Sequence, residues 1–131
     1  MNNQTIELLK NGIIEQAKYF LQEVGEFYPF GLAINSKGEI VPVGVYFGEE
    51  HPDSVIVITE LGKVLFNGLK SGEYEIAAMG IDIFVNDNNV NSKKESALEI
   101  RIMNNEKLLA KYIVPYIISN NEVIFRQNGK L

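Results

Sequence analysis

The chain has no cysteine, a single histidine and no apolar run approaching the ~20 residues that a membrane-spanning helix requires. Without cysteine there are no disulfides, no thiolate metal sites and no cysteine nucleophile. Lys, Glu, Asn or Gly interrupts every candidate span, so no membrane partner is expected. The start, Met1-Asn2-Asn3-Gln4-Thr5, lacks the basic opening and apolar core of a signal peptide, and a cytoplasmic location is expected. A Gly-x-Ser-x-Gly elbow, a phosphate loop and a dinucleotide fingerprint are also missing. Ser36, Ser54 and Ser71 each fall at a turn or cap, where serine has a local structural job. Basic residues adjoin only at Lys93-Lys94, and 17 acidic against 12 basic residues leave a net charge of −5. Such a surface repels phosphate backbones, so nucleic acid is not an expected partner.

What is present fits one folded domain. The 131 residues are 46% apolar and 22% charged, ordinary values for a globular protein able to bury its own core. No repeat or linker divides the chain, so residues 1–131 read as a single α+β domain.

Ile6, Leu9, Ile13, Ala17, Phe20 and Val24 recur at steps of three and four, which predicts an amphipathic helix over 5–24. Thr5 can cap it and Gly25 can end it. Leu8, Ile14, Tyr19 and Leu21 widen the stripe, enough to touch a second subunit as well as the sheet. Two apolar runs then flank Asn35-Ser36-Lys37-Gly38, a polar tetrad ending in glycine, which predicts a hairpin over Phe27–Tyr46. Pro42 lacks an amide donor and places its strand at an edge or a bulge.

Asp53 or Ser54 can cap a second helix running to about Lys70, with Ile58, Leu61, Leu65 and Leu69 on its buried side. The β-branched run Val55–Thr59 also suits a short strand, but the three-four spacing through Leu69 favours helix. Strands follow at Glu73–Val85, Ala97–Met103, Leu108–Ile118 and Glu122–Gln127, with a solvated loop from Asn86 to Ser96. In Ala97–Met103 the alternation places Leu98, Ile100 and Ile102 inward and Glu99 and Arg101 outward. The order predicts a mostly antiparallel sheet of five or six strands with two helices on one face. This helix-hairpin-helix-meander order is similar to that of profilin-like and roadblock-like folds, and such a likeness fixes no function.

No catalytic residue is assigned; the candidates are Asp82, His51 and Glu26. Asp82 stands mid-strand among apolar neighbours, where a carboxylate must be paired, hydrogen-bonded or at the mouth of a cavity. His51 has Glu49, Glu50 and Asp53 around it, a set able to serve acid-base chemistry but also suited to the positive end of a helix dipole. Its spacing matches no metal motif, so neither metal nor cofactor is expected. Glu26 lies beside Tyr28-Pro29-Phe30-Gly31 at the junction of helix and sheet.

Gly25-Glu26-Phe27-Tyr28-Pro29-Phe30-Gly31, then Val41-Pro42-Val43-Gly44 and His51-Pro52, resemble a group of small uncharacterised bacterial proteins. In that group the helix leads into the same Phe-Tyr-Pro-Phe-Gly hairpin. A strand like Ala77 to Val85 containing Asp82 follows, and a Val-Pro-Tyr like Val114-Pro115-Tyr116. The resemblance implies a bacterial, intracellular, single-domain protein and carries over no catalytic role.

Three functional readings are open. The first is a non-enzymatic intracellular protein-binding module, of the immunity or accessory type, suggested by small size, acidity and the lack of a catalytic constellation. The second is a small-ligand binder or enzyme built around Asp82, His51 and Glu26. The third is a homodimer formed through the wide apolar stripe of the first helix.

Overall fold

The computed structural model describes residues 3–45, 53–86 and 94–126. Helix α1 covers Asn3–Glu23 and helix α2 covers Ser54–Ser71. The strands are β1 (Phe30–Asn35), β2 (Ile40–Val43), β3 (Tyr74–Asn86), β4 (Lys94–Met103), β5 (Leu108–Ser119) and β6 (Glu122–Phe125). They form one six-stranded antiparallel sheet in the order β2-β1-β3-β4-β5-β6. The fold is therefore α+β. No helix among the described residues is long and apolar enough to cross a membrane.

The local signals act as their chemistry dictates. Asn35 Oδ1 accepts from the amides of Lys37 and Glu39, and Gly38 takes a positive φ of 81°, which closes the hairpin. Pro42 lies on β2, the edge strand, where a missing donor leaves no interior ladder broken. Asp53 accepts from the Val55 amide and Gly72 caps the other end of α2 in the left-handed conformation. That cap settles Val55–Thr59 as helix, and its β-branched Val55 and Ile56 face solvent.

The helices do not share a face. Leu9, Ile13, Ala17 and Leu21 of α1 pack on Leu32, Ile76, Ala78, Leu98, Ile100 and Ile102. Leu61, Leu65 and Leu69 of α2 pack on Ala33, Val43, Ala77, Met79 and Ile81, the alternate residues of the same strands. The prediction of both helices on one face is thus corrected. Strands β1 and β3 are apolar on both sides because each side receives a helix.

Four smaller expectations also change. Val24 lies beyond the end of α1 and is exposed, and Leu21 takes the core position four residues after Ala17. The second hairpin strand ends at Val43; Tyr46 and Phe47 lie outside the described residues. The β3–β4 ladder runs to Asn86–Lys94, so the ends of the predicted loop belong to strands. Glu99 does not face solvent: it is 7% exposed and holds the Arg101 guanidinium through Nε. Of the extra apolar residues on α1, Leu21 is buried, Ile14 packs against the core, and Leu8 and Tyr19 remain exposed.

Candidate functional site

Strand β5 changes partners at Pro115. Its ladder with β4 ends at the pair Ala97–Pro115, and its ladder with β6 begins at Tyr116–Phe125. Pro115 has no amide hydrogen, and its carbonyl accepts from the Arg126 amide just beyond β6 at 2.8 Å. Beyond this point Lys94–Ser96 stays paired with β3, while Tyr116–Ser119 pairs with β6. The two strands part, and a groove of about 670 Å³ opens between them. Its walls are Lys94, Glu95 and Ser96 of β4, Tyr116, Ile117 and Ile118 of β5, Asp82 and Phe84 of β3, and Gly25 and Glu26 after α1.

One side-chain bond spans the groove floor. The buried Tyr116 ring, packed against Phe125 at 5.7 Å between centroids, donates its hydroxyl to Asp82 Oδ1 at 2.7 Å. A tyrosine on a core-facing position needs such a partner for its polar tip. Burial raises the Tyr116 phenol well above its ordinary value, and the Asp82 carboxylate raises it further against the lowering effect of the Ser96 hydroxyl. The phenol is a protonated hydrogen-bond donor at neutral pH.

Asp82 is exposed to solvent in the groove, with Oδ1 held by the Tyr116 hydroxyl. Partial desolvation raises its pKa from 3.8; the Tyr116 hydrogen bond opposes the rise, and the negative charge of Glu26 adds to it. Glu95, across the groove, is already held by Arg126 Nη2 at 2.7 Å.

The linkage sign follows from that rise. The folded state holds the Asp82 proton more tightly than the unfolded chain does. Its contribution to stability is therefore fullest below pH 3.8 and is lost as pH rises through the raised value. Asp82→Asn keeps an acceptor for Tyr116 and removes the charge. We expect the variant to be at least as stable as the parent at about pH 7, with the difference closing toward acid pH in denaturant titrations.

Of the three candidates, the structure brings Asp82 and Glu26 to one groove, and His51 lies outside the described residues. Tyr116 and Ser96 are site residues that pattern reading missed. The signal for Tyr116 was its place two residues after Val114 on the core-facing side of β5; Ser96 fell in a segment read as loop. Glu26 comes from the stretch before the hairpin, Asp82 from β3 and Tyr116 from the Val-Pro-Tyr sequence.

Among the described residues no group of three or more His, Asp or Glu side chains is arranged to hold a metal ion. The class is thus an α+β protein with helices on opposite faces of one sheet and a polar groove where two strands diverge. No protein-family model, curated protein or solved structure matches the chain.

Proposed function

We propose that the protein is a non-enzymatic protein-binding module and that the Asp82 groove is its contact face. The observation that carries this is Phe84, 72% exposed on the groove wall. Ile117 and Ile118 stand about half exposed on the opposite wall. Large apolar side chains around a hydrogen-bonded polar floor have the composition of an interface centre rather than of ordinary surface. Glu26 and Asp82 make the groove acidic, as the net charge of −5 makes the whole chain, and a partner presenting Lys or Arg side chains complements both. An immunity or accessory role is one form such a module takes.

A second reading, a small-ligand or enzyme pocket, draws on the raised pKa of Asp82, which comes first from partial desolvation and then from the nearby charge of Glu26. Native mass spectrometry of protein recovered gently from its own cells separates the two. The binding-module reading expects the added mass of a second protein in the parent and its loss in Phe84→Asp. A retained small molecule, lost in Asp82→Asn, supports the pocket instead. A doubled mass abolished by Leu8→Lys supports self-association through α1.

A further inference from the structure

We propose a second site, a receptor for the carboxylate of a single-chain amphiphile, in the groove between α2 and the β4–β5 turn. This groove, about 580 Å³, lies on the α2 face of the sheet and at the opposite end of β4 from the Asp82 groove. Its floor is apolar: Ile58, Gly62, Phe66, Leu69, Met79 and Met103. Phe66 and Leu108 are both about half exposed at its edge. From Ile58 to Leu69 the helix runs about 16 Å, and the volume falls in the range of single small-molecule pockets.

The charged wall selects the head group. Arg101 and Lys111 are directly opposed across β4 and β5, an arrangement of like charges that destabilises a sheet unless something answers it. The buried Glu99 engages Arg101 through Nε only. The terminal Nη atoms of Arg101 have no hydrogen-bond partner among the described residues, and Lys111 has no ion pair there. A guanidinium oriented by one carboxylate, with its outer edge unengaged, is shaped for two parallel hydrogen bonds from a second carboxylate. Lys107 adds a third cation to the wall, against Glu106 on the wall and Glu99 behind Arg101. In a chain of 17 acidic and 12 basic residues this is a local excess of positive charge. The turn is held in place, since Asn104 Oδ1 accepts from the amides of Glu106 and Lys107. A fatty carboxylate places its head between Arg101 and Lys111 and its chain along the helix.

The test is calorimetric titration of the full chain with dodecanoate below its micelle concentration, with dodecyltrimethylammonium as the head-group control. Saturable binding of dodecanoate alone is expected. Lys111→Glu, which places a carboxylate directly opposite Arg101, should weaken it about tenfold, a change of about 1.4 kcal/mol. Arg101→Lys keeps the charge but not the fork and should also weaken it. Gly62→Leu fills the groove and should abolish binding; a β-carbon there meets only Met79, at an ordinary 3.9 Å. Absence of saturable binding overturns the proposal, as does equal binding of the cationic amphiphile. Dodecanoate binding that neither Lys111→Glu nor Arg101→Lys alters also overturns it. A Glu-rich amphipathic peptide that binds the groove where dodecanoate does not would reassign the site to a protein partner.

Discussion

Ile13→Ala should lower the free energy of unfolding by about 2–5 kcal/mol, the range for truncating a fully buried aliphatic side chain. Ile13 is wholly buried at the centre of the stripe that α1 lays on the sheet, between Leu9 and Ala17. Its branched end sits over Gly80 of β3, the strand flanked by β1 and β4. Removing it leaves a void against backbone that cannot close without moving the helix. Denaturant unfolding followed by circular dichroism measures the loss, and a change below about 0.5 kcal/mol would contradict this account of how α1 is held.

Gly80→Val should cost about 1–3 kcal/mol, although valine is intrinsically better in a strand than glycine. A β-carbon at Gly80 would stand 2.8 Å from Ile13 Cγ2 and 3.0 Å from two atoms of the Phe30 ring. Phe30 is itself fixed by edge contacts with Phe20 and Phe27, both at 5.5 Å between centroids. Ile13 is wholly buried, and Phe30, though only partly buried, is flanked by both of these rings. The two effects share one contact, so they should not add. In the Ile13→Ala background, Gly80→Ala should cost less than in the parent, with a coupling of about 0.5–3 kcal/mol. Additive costs would mean that the clash is relieved elsewhere.

Gly80 also shows how far the sequence can be read. Its lack of a side chain lets α1 approach β3 closely, and nothing in the strand pattern alone names that element. Ile13 and Phe30 fill the space over Gly80. Strand and helix spans were legible because caps and periodicity act locally: Asp53, Gly72 and the Asn35–Gly38 turn each work within a few residues. The face on which a helix packs is not local. Both faces of β3 are apolar, and nothing in that alternation says whether one helix or two cover them.

The groove was hidden for a related reason. Asp82 was noticeable as a carboxylate in an apolar strand, but its partner lies 34 positions away and is reached only through two strand registers. The parting of β4 and β5 after Pro115 is likewise not local, because it depends on which strand pairs on each side of β5. Glu99 read as exposed because alternation assumes that one side of β4 is wet. Its neighbours, Arg101 among them, cover it instead.

The central claim is that the Asp82 groove receives a protein partner, and a photo-cross-linking residue placed at position 84 tests it most directly. Benzoylphenylalanine preserves the aromatic character of Phe84 and reports whatever touches the groove wall in the cell. The account predicts a discrete cross-linked protein product that weakens when Asp82→Asn and Glu26→Gln are added. It also predicts no product from the same group at Lys37, in the exposed hairpin turn. No product at position 84, or one indifferent to both carboxylates and equally formed from Lys37, would contradict it.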